Sequence, residues 1–284
     1  MRVVPKPFLE FSDVFDTCVA GVGDANTRTR LGMIKANLIE FSLDYDSKAI
    51  AEELYLSYVY GEETTVPLVS KVELKSLYEN QMAKKTRPGR TYYDYLRSLA
   101  PRGLCPFCGI SSARTLDHIM PKAHYPNFSI FPVNLVPCCR DCNTEKLDGK
   151  ATSIQEQKIH PYYDDFTNEQ WLFADVVNQN DPVIVFRIVT PSGWDIKKSS
   201  KISSHLSTYD LDERFGDLAN SETVGIKKQM QNLYRDGGAE AVKAELIERM
   251  LSHRENHFNS WQTAMYQALA ECTWYCDGGF EQVS

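Results

Sequence analysis

The sequence predicts an α+β protein, in which a mostly helical chain is interrupted by a central zinc module and, further on, by a β-hairpin. Three observations lead to this prediction. Apolar residues recur at helical spacing toward both ends, two Cys-x-x-Cys pairs lie near the middle, and a β-branched run follows them. We therefore divide the 284 residues into a helical region at 1–98, a zinc module at 99–150, and a hairpin with further helices at 151–284.

The region before the cysteines is predicted to be helical from residue 8 to about residue 82. Residues 27–54 carry apolar side chains at helical spacing, namely Leu31, Ile34, Leu38, Phe41, Ile50 and Leu54. Residues 69–82 repeat that spacing with Val72, Leu74, Leu77 and Tyr78. The basic Pro-Gly segment at 84–90 is typical of a loop, and a short helix from Tyr92 leads into the zinc module.

The region after residue 150 is predicted to contain one hairpin and further helices. Residues 183–189 (VIVFRIV) are typical of a strand, and the turn sequence TPSG followed by Trp194 predicts its partner. Beyond Ser203, a stripe at spacings of three and four indicates a packed helix: Val242, Leu246, Met250, His253, His257, Trp261 and Met265. His253 and His257 share a face at i and i+4, so a second metal site is an alternative to packing with buried polar partners.

Charge is distributed unevenly along the chain. The formal net charge is −7, yet residues 84–150 hold eleven Lys/Arg against five Asp/Glu, a local excess of +6 that leaves −13 for the remainder. Such a basic band is typical of a surface that meets a phosphate backbone, although ordinary surface variation is the alternative. No apolar run reaches the roughly 18–20 residues that span a bilayer, and the first residues lack the apolar core of a signal peptide. We expect a cytoplasmic protein, where paired cysteines more often bind metal than form disulfides.

The two cysteine pairs, Cys105–Cys108 and Cys139–Cys142, predict one structural zinc ion. Two tight CxxC turns bring four thiolates around a tetrahedral Zn²⁺, whereas four buried thiols without a metal would not require that spacing. Thirty residues separate the pairs, which is more than a simple two-knuckle site uses and indicates a folded insert. Cys138 adjoins Cys139 and competes for the same role, but the CxxC spacing favours Cys139.

The insert and the residues after it carry three further motifs in order. They are Asp117-His118-Ile-Met-Pro-Lys, then Asn134-Leu, then the second knuckle running directly into Asn143-Thr-Glu-Lys. This order resembles the HNH endonuclease family, whose pattern is Asp-His-Ile-x-Pro, Asn-Leu, and CxxC followed by His or Asn. Over roughly residues 104–150, the resemblance implies a ββα-metal (HNH) fold and a metal-dependent endonuclease that hydrolyses phosphodiester bonds in nucleic acid.

The expected site residues follow from this chemistry and this resemblance. Phosphodiester hydrolysis needs an activated water, and a neutral histidine near pH 7 accepts its proton, so His118 is the expected general base. The resemblance implies that Asp117 is a metal ligand, which requires a bend in the strand, and that Asn134 orients the loop around His118. Asn143 would offer a second oxygen, and a carboxylate with an amide oxygen favours Mg²⁺ or Mn²⁺ at the catalytic position while zinc stays structural. The candidate phosphate contacts are Lys122, Arg140 and Lys146.

The flanking sequences resemble bacterial HNH proteins encoded beside ATPases in Septu-type and retron-associated anti-phage systems. His160-Pro-Tyr-Tyr, Leu211-Asp-Glu-Arg-Phe and Gly278-Gly-Phe carry that resemblance. It implies an antiviral defence effector that acts on DNA or RNA together with an ATPase partner; the chain itself has no GxxxxGK[ST] motif. The alternative is a zinc-stabilised nucleic-acid-binding or scaffold protein with an inactive HNH fold. Both interpretations predict zinc, but only the first predicts divalent-metal-dependent cleavage that requires His118.

Overall fold

The computed structural model describes residues 1–57, 69–146, 149–178 and 182–283. The chain divides into two compact units, Met1–Asp165 and Phe166–Ser284. Each unit combines helices with one two-stranded antiparallel sheet, so the prediction of a mostly helical α+β protein is confirmed. Among the described helices, none is long and apolar enough to cross a membrane.

The first unit places a β-hairpin among helices. Its described helices and strands are α1 (Phe11–Ala20), α2 (Ala25–Ile50), α3 (Lys71–Ser76), α4 (Arg90–Ser98), β1 (Thr115–His118), β2 (Leu135–Cys138) and α5 (Arg140–Glu145). Helix α2 starts where the Asp24 side chain accepts a hydrogen bond from the backbone N–H of Thr27, as an N-cap should. Leu31, Ile34 and Leu38 are buried as predicted. The helix ends four residues before the predicted Leu54. Ile50 is 73% exposed, whereas its neighbour Ala49 in the same last turn is buried, so Ile50 lies on the solvent face of the helix.

Helix α3 begins with a complete capping box and ends in an unusual turn. The Ser70 side chain accepts from the backbone N–H of Glu73, and the Glu73 carboxylate accepts from the backbone N–H of Ser70. The helix continues as a π-helical turn over Leu77–Met82, which lies within the predicted helical range. Val72 is 75% exposed, so its assignment to the apolar face was wrong; Leu74 points inward instead. The helix expected over residues 58–68 falls outside the described residues. The loop predicted at 84–90 is confirmed over residues 84–89, and Arg90 already begins α4.

The hairpin leads directly into a helix, which gives a strand–strand–helix order. In the antiparallel pair, Thr115 lies opposite Cys138, and His118 lies opposite Leu135. Strand β2 ends at Cys138, and the next residue, Cys139, caps α5. The first residues of the chain pack against the Cys105–Cys108 turn, where the backbone N–H of Arg2 donates to the carbonyl of Pro106 at 2.7 Å.

The second unit contains the other hairpin and the longest described helix, α7. Its described elements are β3 (Leu172–Val177), β4 (Val183–Ile188), α6 (Ile196–Thr208), α7 (Leu211–Asn256), α8 (Trp261–Glu271) and α9 (Thr273–Cys276). The predicted strand at 183–189 is confirmed, but its predicted partner was wrong. Strand β4 pairs with the preceding β3 along its whole length. Trp194 instead precedes the N-cap of α6, where the Asp195 carboxylate accepts from the backbone N–H of Lys198.

The histidine stripe does not continue along one helix. Helix α7 is kinked at Gly238, which has φ 67°, and it ends at Asn256; His257 is extended. The Nδ1 of His257 accepts from the backbone N–H of Asn259, while His253 stacks on Tyr266. The two histidines therefore do not share a helical face, and neither belongs to a metal-ligand cluster among the described residues. The alternative interpretation of His253 and His257 as a second metal site is therefore wrong.

Asn259 joins the second unit's sheet to the loop before α8, and its removal is expected to destabilise that unit. Its side-chain oxygen accepts from the N–H groups of Trp171 and Leu172 at 2.8 and 3.1 Å, and its amide donates to the carbonyls of Glu169 and Phe166 at 2.9 and 3.3 Å. Asn259→Ala leaves these groups unsatisfied, at a cost of about 2–4 kcal/mol in unfolding free energy.

Denaturant unfolding followed by tryptophan fluorescence measures this cost, because all four tryptophans lie in the second unit. The exposed Asn256 is the matched control, and Asn256→Ala should change stability by less than about 0.5 kcal/mol. Equal midpoints for the two variants would contradict the assignment.

Candidate metal centre and catalytic cleft

The four cysteines of the two CxxC pairs form one buried cluster. The Sγ atoms of Cys105, Cys108, Cys139 and Cys142 all lie within 4.8 Å of one another. Tetrahedral zinc with bonds of about 2.3 Å requires sulfur atoms roughly 3.8 Å apart, and Cys108 and Cys139 are 3.9 Å apart. The cluster can therefore hold a zinc ion, as the sequence predicted.

The local backbone of both knuckles explains how the thiols converge. In the first, the N–H of Gly109 donates to the carbonyl of Cys105 at 2.8 Å, and the φ of 72° at this position suits glycine. In the second, the Sγ of Cys139 accepts from the N–H of Cys142 at 3.4 Å. Hydrogen bonds among the thiols lower the pKa of Cys105, through Cys108 above all, and raise the pKa of Cys108, because the two groups share a proton. Cys138 is buried in β2 but is not a member of the group of four.

A cleft of about 360 Å³ opens beside the end of β1. Three of the four residues expected to carry out catalysis, Asp117, His118 and Asn143, line it. Lys122 and Lys146, expected to contact phosphate, line it as well. Among the described residues, the wall of the cleft is formed by Tyr78, Leu116, Asp117, His118, Pro121, Lys122, Asn143, Thr144 and Lys146. Asn134 lies behind this wall and is fully buried.

His118 is held as a neutral imidazole of one tautomer. Its Nε2 lies 2.9 Å from the backbone carbonyl of Ser129, so Nε2 carries the hydrogen and Nδ1 keeps its lone pair. Burial lowers the pKa of His118 to about 3, and the ring is therefore uncharged at neutral pH. The ring of Tyr78 packs edge-to-face on it, with centroids 4.5 Å apart. A neutral ring with an available lone pair can accept a proton, but the lowered pKa makes it a weaker base than a free imidazole.

Asn134 fixes the loop that contacts His118. Its side-chain amide donates to the carbonyls of Met120 and Phe128, both at 3.1 Å, and its oxygen accepts from the N–H of Met120 at 2.7 Å. These bonds tie the start of the loop to the turn immediately before Ser129. Asn134 therefore acts on His118 through the backbone.

Tyr45 and His160 extend this network, and neither was named as a site residue from the sequence. The Nδ1 of His160 accepts from the N–H of Tyr162, which leaves Nε2 to donate to the Tyr45 hydroxyl at 3.0 Å. That hydroxyl donates in turn to the Asn134 oxygen at 3.1 Å. The His160-Pro-Tyr-Tyr motif was the available signal for His160, whereas Tyr45 lies in α2 without any local motif.

Asp117 is paired with Lys146 inside the cleft wall. The Nζ of Lys146 lies 2.7 Å from Asp117 Oδ2 and 2.5 Å from the backbone carbonyl of His118. The two side chains are only 5% and 10% exposed. Burial raises the pKa of the Asp117 carboxyl, and the Lys146 ammonium opposes that shift. The Lys146 ammonium is therefore bonded to the Asp117 carboxylate and shielded from solvent.

The remaining candidate residues lie nearer the surface. Asn143 is exposed on α5. Lys122 pairs with Glu79 at 2.6 Å, and its ammonium lies 5.3 Å from the centroid of the Tyr78 ring. Arg140 is exposed at the start of α5 and does not line the cleft. Tyr78 itself was missed as a site residue because it lies in the π-helical turn, which apolar spacing does not reveal.

The two adjacent cysteines of the second knuckle allow a matched test of the metal centre. We expect the purified protein to carry about one zinc ion per chain, and Cys139→Ser to lose it because one of four ligands is removed. Cys138→Ser should retain the metal. Elemental analysis of the soluble fraction measures the stoichiometry, with Cys105→Ser as a second ligand variant. Folded wild-type protein without zinc, or equal zinc contents in the Cys138 and Cys139 variants, would contradict the assignment.

Comparison with known proteins identifies a relative but no established site. No family model matches the chain, and neither does any solved structure. Protein ea31 of Escherichia phage lambda is 32% identical over 289 residues, an alignment that covers 95% of this chain and 97% of the phage protein. The similarity extends through both compact units and is not confined to the cysteines. The chain therefore belongs to the same family as protein ea31 of phage lambda.

Proposed function

We propose that the protein is a metal-dependent HNH-type endonuclease that hydrolyses phosphodiester bonds in nucleic acid. The observation that carries this proposal is the state of His118, which lines an open cleft as a neutral ring with Nε2 occupied by a backbone carbonyl. A histidine that served only to pack the core would have no reason to line an open cleft. The four-cysteine cluster at the end of the same hairpin supports the resemblance to HNH enzymes.

The proposed reaction uses His118 as general base. Its Nδ1 takes a proton from a water whose oxygen bonds to phosphorus, while the bond from phosphorus to the leaving oxygen breaks. Asp117 and Asn143 present oxygen donors to the same cleft, a set that fits Mg²⁺ or Mn²⁺. When bound, such an ion supplies charge neutralisation at the phosphate. Asn134 positions the base and the zinc cluster holds the hairpin against α5, so neither takes part in the bond changes.

One observation favours the alternative of an inactive nucleic-acid-binding or scaffold protein. The Asp117 carboxylate is neutralised by Lys146, and an ion-paired carboxylate is a poor metal ligand. Cleavage assays separate the two functions. Plasmid, single-stranded DNA and total RNA are each incubated with the protein and Mg²⁺, Mn²⁺ or EDTA. The endonuclease proposal requires a metal-dependent product that EDTA abolishes.

His118→Ala is expected to reduce cleavage by at least 10²–10⁴-fold, because the general base is lost. Zinc content and melting temperature should stay near those of the wild type, since the one hydrogen bond of the ring among the described residues is the one that Nε2 donates to the Ser129 carbonyl. His124→Ala, in the same loop but outside the cleft wall, is the matched control and should cut at the wild-type rate. If the two variants cleave equally well, the base lies elsewhere.

For the biological role, we propose an effector of a bacterial anti-phage defence system that acts with an ATPase partner. The resemblance of the flanks supports this, and so does their charge, because all of the chain's negative excess lies outside residues 84–150. Acidic surfaces suit docking on another protein better than direct contact with phosphates. The relative in phage lambda shows that a member of this family is encoded by a phage.

The partner proposal predicts weak cleavage by the isolated chain and a stable complex in its native host. A tagged His118→Ala chain, which avoids toxicity, is captured from that host, and its companions are identified by mass spectrometry. Size-exclusion chromatography then measures the mass of the complex, and ATP hydrolysis by the companion tests its class. A solitary chain that cuts nucleic acid at full speed and retains no companion would refute this role.

A further inference from the structure

The Asp117–Lys146 pair occupies the position where a divalent cation is expected to bind. Asp117 is the single carboxylate in the cleft wall that the structure describes, and the other oxygen donor expected to bind metal, Asn143, is neutral. The Lys146 ammonium, 2.7 Å from Asp117 Oδ2, cancels that one negative charge. The cleft therefore offers little net attraction to a divalent cation while the pair is intact.

A bound Mg²⁺ or Mn²⁺ and the Lys146 ammonium cannot both be stabilised by this carboxylate. An octahedral ion would sit about 2.1 Å from a carboxylate oxygen, and an ammonium hydrogen-bonded to the same group would lie within a few ångströms of it. Two cations that close repel strongly in a partly buried site.

Lys146 is also placed so that only its side chain has to move. Its backbone N–H donates to the carbonyl of Cys142 at 3.2 Å, so the main chain stays fixed to the second knuckle. The four-carbon stem is flexible, and the cleft of about 360 Å³ beside it is open to receive the ammonium.

We propose that Lys146 is an internal cation that competes with the divalent metal for Asp117 and is released into the cleft when the metal binds. The released ammonium is then free to contact a substrate phosphate, so the phosphate contact expected of Lys146 depends on the metal. This inference rests on the proposed function for the identity of the metal ligands, but its test measures binding and not cleavage.

The first experiment titrates full-length, zinc-loaded protein with Mn²⁺ and follows free Mn²⁺ by electron paramagnetic resonance. Lys146→Met should bind Mn²⁺ on the order of tenfold more tightly than wild type, because the competing charge is gone. Lys122→Met is the matched control: Lys122 lines the same cleft but pairs with Glu79, and its loss should change the affinity less than about twofold. Asp117→Asn combined with Lys146→Met should lose the gain.

A second experiment uses wild-type protein, so it does not depend on the stability of a variant that leaves Asp117 unpaired. Lysine acetylation by a water-soluble reagent is followed by mass spectrometry with and without saturating Mn²⁺. Lys146 should react slowly without Mn²⁺, since its side chain is 5% exposed, and several-fold faster with it. The acetylation rate of Lys122 should stay constant.

The outcomes distinguish this inference from the proposed function. Tighter Mn²⁺ binding by Lys146→Met together with metal-induced labelling of Lys146 supports the competition, even if no nucleic acid is cut under any condition. Equal or weaker Mn²⁺ binding by Lys146→Met would make Lys146 a supporting group and would overturn the inference. Labelling of Lys146 that Mn²⁺ does not change would overturn it as well, and would do so even for an active nuclease.

Discussion

The hydrogen bonds of one buried amide, Asn134, determine the geometry of the candidate catalytic centre. The amide holds both ends of the backbone segment between Met120 and Phe128, and Ser129 follows directly. The position of the Ser129 carbonyl in turn decides which nitrogen of His118 carries the hydrogen. A buried amide that lost these partners would leave several backbone groups unsatisfied, so the loop has one well-determined conformation. Tyr45 and His160 strengthen this constraint by orienting the amide from the far side.

The cysteine cluster lies beside one end of the first unit's hairpin, and the candidate catalytic residue His118 lies at the other end. Cys138, which precedes the second knuckle, pairs with Thr115 at one end of the two strands, and His118 lies three residues further along β1, roughly 10 Å away. The cysteine cluster therefore fixes strand register and the start of α5 without entering the cleft. Asn143 and Lys146 are positioned by this same helix start, one and four residues after Cys142. In this arrangement, loss of zinc would misplace both sides of the cleft together.

Features that depend on local sequence were the ones that the sequence predicted well. The cysteine cluster follows from CxxC spacing, and the fold class and the strand at 183–189 follow from residue pattern. The errors arose where a long-range choice decided the outcome. Strand β4 pairs with the earlier strand β3. The residues where a second strand was expected instead begin helix α6, which Asp195 caps. The prediction of one helical stripe through His253 and His257 was wrong, because helix α7 ends at Asn256.

The candidate site itself was predictable in its motif residues and not in their partners. Asp117, His118 and Asn143 reach one cleft, as a family pattern implies. Tyr45 contacts Asn134 across 89 positions of sequence, and no local pattern records such a contact. Tyr78 reaches His118 from a π-helical turn, an irregularity that hydrophobic spacing does not reveal but that is common at functional sites.

The proposed function requires an acidic chain to bind a polyanion, and the charges around the candidate zinc site bear on that requirement. Zinc bound by four thiolates leaves an excess of two negative charges, which would repel a phosphate backbone. Arg2 approaches the first knuckle and lies close enough to Arg102 to lower its own pKa, after desolvation as the main cause. Exposed arginines also flank the hairpin, at Arg114 and Arg140, and neither has an ion pair among the described residues. Cations left unpaired around a negative metal cluster can offset it and still attract phosphates over about 8–10 Å at physiological salt. For the nucleic-acid substrate of the proposed function, the local basic band would therefore count for more than the net charge of the whole chain.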